Sequence, residues 1–373
     1  MGKKIRVGIL AGGRSAEHEV SLQSAKNVID ALDRDRFEPV LIGIDKSGRW
    51  LLLDPGNFLL NADDPRRISL HPSGNPAALL PHKAGIASET GAPAAVDVIF
   101  PILHGPYGED GTVQGLLKTV NIPFVGPSVL GSAAGMDKDV MKRLLRDAGI
   151  PIGKFLVFSS HEEVPSFTEA AGVLGSPVFI KPANMGSSVG ISRVCNGEEY
   201  RSALAEAFRY DTKIVMEEYI RGRELECAVL GNRTPLASLP GEVKPARGFY
   251  SYEAKYLDEK GAVLEIPARL PEETVREIQA LAVKTFKVLC CEGLSRVDFF
   301  LREDGTDGGS PPDGRPRLFV NEINTMPGFT RISMYPKLWE ASGVSYTELI
   351  SRLIDLAMER FESEQSLTTS VAP

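Results

Sequence analysis

The sequence predicts an α/β protein, with an N-terminal open parallel α/β domain followed by a two-part α+β module. Three observations carry this. The chain opens on a short apolar run, a glycine turn, an amphipathic stretch and a second apolar run, the pattern of a βαβ unit. Beyond Pro127-Ser128 the pattern changes to short β-branched strands alternating with helices. The length, 373 residues, is enough for two or three domains at roughly 150 residues each.

Residues 5–10 form the first expected strand, ending in Ala11-Gly12-Gly13, and a helix runs on to Leu32. Residues 40–44 read as the second strand, which favours a parallel sheet. From 45 to 95 the pattern breaks into Pro, Gly, Asn and Ser with short apolar pieces, so strands and loops are expected there without a fixed register. Strands return at 96–101 and 122–126. Met136, Val140, Leu144 and Leu145 lie on one face of an expected helix over 136–147, closed by Gly149 and Pro151. Strands follow at 155–158, 178–181, 190–194 and 214–218, with helices at 166–175 and 197–207. The last block has strands at 224–230, 236–239, 296–301 and 318–321, and helices at 271–289 and 345–361. Residues 303–317, rich in Gly, Pro and Asp, read as a hairpin loop, and the Ser/Thr-rich end after Glu362 as frayed. The expected division is 1–127, 128–220 and 221–364, with a tail at 365–373.

Charge and composition exclude several classes. Hydrophobic residues make up 43% and charged residues 24%, as in ordinary folded chains. With 42 basic and 49 acidic residues the formal charge is −7, and no basic cluster offsets it, so neither nucleic acid nor a membrane is an expected partner. No apolar run approaches the roughly 18 residues of a membrane span, and the N-terminus enters a strand directly, without a signal-peptide region. A cytoplasmic location is expected. Four cysteines without a CxxC pair suggest neither disulfides nor zinc, and are expected to be small buried hydrophobes.

The chemistry concentrates in a few segments. In Arg296-Val297-Asp298 and Glu322-Ile323-Asn324 the alternate residues share a strand face. If the two strands pair across the 303–317 loop, one surface gathers Asp298, Glu322 and Asn324 beside Arg296. Hard oxygen donors at that density suit Mg²⁺ with phosphate oxygens, although either half alone reads equally as an exposed hairpin. Lys181-Pro-Ala-Asn-Met-Gly-Ser-Ser-Val-Gly190 offers a turn whose N–H groups can face phosphate, with Lys181 as a point charge; alone it is as readily a plain hairpin. It matches neither GxxxxGK[ST] nor GxGxxG. Met216-Glu217-Glu218-Tyr219-Ile220 and Arg223-Glu224 lie where the second block passes into the third, where an extended segment can meet a base edge and a carboxylate a ribose. Residues 104–112, His-Gly-Pro-Tyr-Gly-Glu-Asp-Gly-Thr, suggest close backbone approach to a ligand or helix, with His104 a turn residue or a participant. Tyr250, Tyr252, Glu253, Lys255 and Tyr256 form a polar-aromatic segment read as a lid.

Together with Ala11–Ser21 and Met136-Asp137-Lys138, these segments closely resemble the D-alanine:D-alanine ligases of the ATP-grasp carboxylate-amine ligases, in the family's order and over almost the whole chain. The 45–95 stretch and the 303–317 loop depart from the pattern without touching a matching motif. The resemblance implies a pre-ATP-grasp domain followed by an ATP-grasp module. ATP phosphorylates the carboxylate of one D-alanine, and the amine of a second attacks the acyl phosphate to give the dipeptide used in peptidoglycan precursors. By the same resemblance Glu17 pairs with the first substrate's ammonium, with Ser187 and Tyr256 hydrogen-bonded around it. Arg296 and the Gly328 N–H stabilise the oxyanion, and Ser333 receives the second carboxylate. Lys138, Lys181 and Ser188 belong to the phosphate side, Glu217 and Ile220 meet adenine, and Glu224 the ribose. Asp298, Glu322 and Asn324 hold two Mg²⁺, with Mn²⁺ as a substitute. A homodimer is also implied.

The intact Glu253-Ala-Lys-Tyr256 segment disfavours a D-alanine:D-lactate ligase. A non-catalytic ATP-binding relative would be expected to lose Glu17, Arg296 or the Gly328 turn, and all are present.

Overall fold

Strand β1 (Ile5–Gly12) alternates its side chains between two cores. Val7, Ile9 and Ala11 meet Leu22, Ala25 and Val28 of helix α1 (His18–Ala31), while Leu10 meets Ile42 and Ile99 on the opposite face. β1 pairs in parallel with β2 (Phe37–Ile44), as the βαβ pattern requires. The computed structural model describes residues 3–64, 66–80, 85–88, 91–245, 262–302 and 317–368. The tyrosine segment read as a lid, Tyr250 to Tyr256, lies outside the described residues, as do 303–316 of the hairpin loop and 369–373 of the tail.

Within 45–95 lie β3 (Trp50–Leu53), a small ribbon of β4 (Leu59–Leu60) and β5 (Ser69–Leu70), and then β6 (Asn75–Leu80), β7 (Gly85–Ser88) and β8 (Gly91–Ala95). With β9 (Val98–Ile102) the sheet order is β8-β7-β6-β3-β2-β1-β9. It is parallel at β2-β1-β9 and antiparallel beyond β2, so the open parallel sheet continues into a meander. The strand expected at 122–126 is reduced to a single parallel bridge, Ile99 to Phe124. Pro123 lacks an N–H, and Asn121 and Gly126, with φ of 58° and 96°, turn the chain at either side. Helix α2 (Thr112–Thr119) covers the second face with Val113 and Leu117.

The helix expected over 136–147 is present as α4 (Lys138–Asp147), starting two residues later, and a separate helix, α3 (Val129–Met136), precedes it. Asp137 is extended (φ −79°, ψ 104°), and its carboxylate accepts the N–H groups of Asp139 and Val140, a capping geometry that competes with helix continuation. The expected apolar face is also corrected. Leu145 is buried, but Val140 and Leu144 are both 39% exposed, and Lys138, Asp139, Met141 and Lys142 turn inward instead.

The middle of the chain forms β10 (Phe155–Ser159), α5 (Phe167–Leu174), β11 (Val178–Pro182), β12 (Ser192–Val194), α6 (Gly197–Ala207) and β13 (Lys213–Glu218). The sheet is antiparallel in the order β10-β13-β11-β12. Ala170 and Leu174 of α5 and Tyr200 and Ala203 of α6 pack on Val178, Ile180, Ile214 and Met216.

A third sheet, ordered β17-β16-β14-β18-β19, is built from β14 (Arg223–Gly231), β16 (Gly241–Pro245), β17 (Ala262–Glu265), β18 (Gly293–Arg302) and β19 (Arg317–Asn324), with β15 (Leu236–Ala237) paired to β14. Helix α7 (Glu272–Val288) lays Ile278, Ala282 and Phe286 against it. Helices α8 (Met334–Ala341) and α9 (Tyr346–Gln365) return to the N-terminal sheet. Leu349, Ile350, Leu353 and Ile354 of α9 share a core with Val7, Ile9 and Leu22. Four such side chains contribute roughly 6–12 kcal/mol of gross hydrophobic stabilisation. Because that face is anchored, α9 stays helical to Gln365, past the point where fraying was expected. Cys227 and Cys291 are buried as expected, whereas Cys195 and Cys290 are exposed. Among the described residues no helix is long and apolar enough to cross a membrane.

Candidate functional site

A cavity of about 430 Å³ lies between the second and third sheets, lined by Lys181, Ser188, Glu217, Ile220 and Glu224 together with Asp298 and Glu322. β11 and β13 account for two of these. Phe179 stands opposite Glu217, so Lys181, two residues further on, is a diagonal neighbour on the same face. Its Nζ donates to Glu217 Oε2 at 2.9 Å. The other oxygen, Oε1, faces Nζ of Lys142 at 3.3 Å. Burial acts to raise the Glu217 carboxyl, but Lys142 and then Lys181 outweigh it and hold it at about 2. Burial pulls the Lys142 ammonium down, whereas for Lys181 burial is overcome by Glu217 and Glu322, which raise it.

The glycine turn is pinned to the start of α4. The Lys138 N–H donates to the Ala183 carbonyl at 3.0 Å and its Nζ to the Met185 carbonyl at 2.6 Å, with Glu322 Oε2 3.9 Å away. Asn184 donates both its backbone N–H and its amide to Asp211. Within the turn Ser187 and Ser188 have φ of 50° and 62°. Left-handed backbone at two consecutive serines is a strained arrangement held by its surroundings, and it changes the direction in which successive N–H groups point.

On the third sheet the strands register Glu226 beside Asp298 and Asp298 beside Glu322, three carboxylates abreast on β14, β18 and β19. Arg296 pairs across with Asn324. Its guanidinium grips Asp298 with two bonds of 2.7 Å and reaches Glu226 Oε2 at 2.7 Å, and the Asn324 amide donates to Asp298 Oδ2 at 3.0 Å. The register shifts between Asp298 and Phe299, a bulge of the kind that re-aims side chains at sites. Among the described residues no group of three or more His, Cys, Asp or Glu has metal-holding geometry. The oxygens of two carboxylates and an amide are nevertheless hard donors of the kind that suits a Mg²⁺ keeping several positions for water and phosphate.

Glu17, 6% exposed, precedes α1, and its Oε1 accepts the Ser187 hydroxyl from the glycine turn. Gly105 packs against the carboxylate so closely that a Cβ there would lie 2.8 Å from Oε2. Beside it, His104 is buried between Ser24 Oγ at 3.4 Å and the Met326 carbonyl at 3.0 Å. Nδ1 must carry the proton to donate to that carbonyl, and burial holds the imidazole below its usual pKa. His104 thus serves as a strut for the Met326–Phe329 turn, whose Phe329 N–H donates to Ser24. Glu109 braces the same turn, accepting the N–H groups of Gly105 at 2.9 Å and Met326 at 3.2 Å. Gly328 follows in that turn, where a Cβ would sit 2.9 Å from Ser333 Oγ. Ser333 Oγ accepts the Thr330 N–H at 3.1 Å.

The structure thus unites Glu17 with Ser187, Lys181 with Glu217, Arg296 with Asp298 and Asn324, and Gly328 with Ser333, while Tyr256 lies outside the described residues. Sequence reasoning missed Lys142, Glu109 and Glu226. Lys142 follows Lys138 by four residues and Glu226 follows Glu224 by two, spacings that put each on the same face as a residue already singled out.

A family described as the D-ala D-ala ligase N-terminus matches residues 6–127, and one described as the D-ala D-ala ligase C-terminus matches 144–355. The chain is 53% identical over 377 residues to a D-alanine–D-alanine ligase of Shouchella clausii, covering 100% of this chain and 99% of that relative. It is 51% identical over 374 residues to D-alanine–D-alanine ligase A of Escherichia coli (strain K12), covering 99% and 100%. Among solved structures, the D-alanine-D-alanine ligase from Coxiella burnetii matches with a TM-score of 0.83 and 38% identity, covering 98% of this chain and 97% of that one. A D-Ala:D-Ser ligase from Enterococcus faecalis matches with a TM-score of 0.80 and 35% identity, covering 95% and 100%.

Proposed function

Since the chain belongs to the D-alanine–D-alanine ligase family and is a ligase that joins two D-alanines with ATP, we propose the following roles for its residues. The observation that carries them is the continuity of the cleft: Lys181 and Glu217 line the same cavity as Asp298 and Glu322, with Arg296 gripping Asp298.

The Glu17 anion, held by Ser187, receives the ammonium of the first D-alanine, and Tyr256 completes that hydrogen-bonded group. Lys138, Lys181 and the turn at Ser187-Ser188 hold the phosphates, Glu217 and Ile220 the adenine, and Glu224 the ribose. A carboxylate is a poor acyl donor. A bond therefore forms between its oxygen and the γ-phosphorus as the β–γ bridging P–O bond breaks, giving an acyl phosphate and ADP. The amine of the second D-alanine, its carboxylate at Ser333, attacks the acyl carbon. Arg296 and the Gly328 N–H stabilise the oxyanion, each worth on the order of 10²–10³ in rate. Collapse expels phosphate, whose oxygens can take the amine proton. Asp298, Glu322 and Asn324 fit two Mg²⁺, or Mn²⁺, which when bound supply charge to offset the phosphate oxygens.

The same reading divides the chain at 127 and 220, with the metal-side residues in 221–364 and a tail at 365–373. On this reading the protein works in the cytoplasm, where ATP is available to activate the acyl donor, in peptidoglycan precursor synthesis, and it does so as a homodimer like the family it resembles.

The test is coupled ADP release with ATP and Mg²⁺, comparing D-alanine, L-alanine and D-alanine with D-lactate or D-serine, products being weighed by mass spectrometry. D-alanine-dependent ADP with the D-alanyl-D-alanine mass is expected, lost with chelator and restored by Mg²⁺ or Mn²⁺. A depsipeptide as main product, or ADP release indifferent to D-alanine, would overturn the substrate roles. Release undiminished by chelator would overturn the metal assignment.

A further inference from the structure

Lys142 has no place in the roles above, yet it is among the most deeply buried side chains of the molecule, 1% exposed. An ammonium out of water is costly unless paired. Its partner is Glu217 Oε1 at 3.3 Å, and its Nζ also stands 5.8 Å from the centre of the Phe155 ring. Glu217 Oε2 is already satisfied by Lys181 at 2.9 Å, so one carboxylate holds two ammonium groups, one more cation than its charge requires. The excess has a use if Lys181 turns to phosphate. Lys142 is sealed from the cleft, and Glu217 then keeps it as counter-ion. Oε1 is buried against Lys142 and makes no further hydrogen bond, so the carboxylate keeps acceptor capacity.

A carboxylate held ionised can only accept hydrogen bonds. Adenine presents a 6-amino donor where guanine presents a carbonyl acceptor. We propose that Lys142 is a positioning residue that holds Glu217 as a fixed, acceptor-only anion and so sets the preference for adenine over guanine nucleotides. This rests on the reading of the cleft as the nucleotide site with Glu217 at the base. Without Lys142 the carboxylate can turn both oxygens to Lys181, or take a proton and become a donor. Either change removes the penalty against a guanine carbonyl. The depressed carboxyl pKa agrees, since Lys142 stands ahead of Lys181 among the charges that lower it against the opposing effect of burial.

The experiment measures calorimetric affinity for a non-hydrolysable ATP analogue and its guanine counterpart, and KM and kcat with ATP and GTP, in Lys142→Met, Glu217→Gln and the double variant. Lys142→Met is expected to narrow the adenine-to-guanine ratio by about tenfold, the size of one hydrogen bond gained or lost, through affinity and KM more than kcat. Added to Glu217→Gln it should change the ratio by less than about twofold, because it acts through that side chain. Lys142→Gln provides the same neutralisation if the Met variant does not fold. A ratio unchanged in Lys142→Met but collapsed in Glu217→Gln would overturn the positioning role and leave the base contact standing. A ratio unchanged in both single variants would overturn the base contact, and the proposal with it. Collapse in Lys142→Met alone would show that Lys142 does not act through Glu217, and would equally overturn it.

Discussion

A carboxylate that accepts two backbone N–H bonds ordinarily ionises easily, yet Glu109 is pushed up to about 8. Burial is the main cause and the negative charge of Glu17 the next, and together they outweigh the N–H groups of Gly105 and Met326 and the pull of Arg296. In the unfolded chain the same group titrates near its ordinary 4.5. Between the two values the folded protein holds a proton that the unfolded chain has released, so stability falls as pH rises from about 4.5 to about 8 and then levels. Calorimetric melting from pH 5 to pH 9 should therefore show the folded state weakening with pH, and Glu109→Gln should flatten the curve. An equally steep decline in that variant would show that the titrating group lies elsewhere.

At the scale of elements, α4 inverts the usual logic of an amphipathic helix. It turns Lys138 and Lys142 inward and leaves Val140 and Leu144 half-exposed, because the inward face meets a charged site as well as a core. The orientation is set at its first turn, where Asp137 caps the helix and also pairs with Lys213 Nζ at 2.6 Å. Asp137→Ala should cost about 1–2 kcal/mol from the lost cap and ion pair. It should also raise the KM for ATP several-fold, since Lys138 and Lys142 both ride on this helix. Denaturant titration beside ATP kinetics checks both, and an unchanged KM in a destabilised variant would separate the cap from the site. The same helix shows where sequence reading stops. Alternation along β18 and β19 made Arg296, Asp298, Glu322 and Asn324 legible, since each triplet fixes its own face and one hairpin brings them together. Glu226 joins them through the β14 register, and Lys142 through contact with a strand some seventy residues away, which local periodicity does not encode. The antiparallel half of the first sheet was unreadable for a related reason: its strands are short and only partly buried, so their apolar pattern is weak.

Across the whole molecule, the proposed site draws Glu17, with His104 and Glu109 beside it, from the N-terminal region and Arg296 and Gly328 from the C-terminal region, so it depends on how firmly the two are joined. His104 and Glu109 hold the Met326 turn at one contact, and Arg360 of α9 makes another. Only 7% exposed, its guanidinium donates to the carbonyls of Phe124, at 2.7 Å, and Gly126, lies 4.5 Å from the centre of the Phe124 ring, and pairs with Glu292 Oε2 at 3.3 Å. Both carbonyls belong to the chain just before the boundary drawn at 127, where Pro123 and Gly126 prevent a full strand from forming. Arg360 therefore satisfies backbone that the sheet cannot. Arg360→Ala leaves two carbonyls and a carboxylate without that donor, a loss of about 3–5 kcal/mol by comparison with other broken buried networks. Because the contact spans two regions, the variant should lose cooperativity as well as stability, its N-terminal part melting first in scanning calorimetry and turnover falling before the C-terminal part unfolds. Arg352→Ala on the same helix is the control. Its partner Glu348 is four residues away and both side chains are more than 40% exposed, so its loss should be worth less than about 1 kcal/mol. Equal effects from the two substitutions would mean that α9 joins the regions by its apolar packing on the N-terminal core alone, beside the His104 and Glu109 contacts.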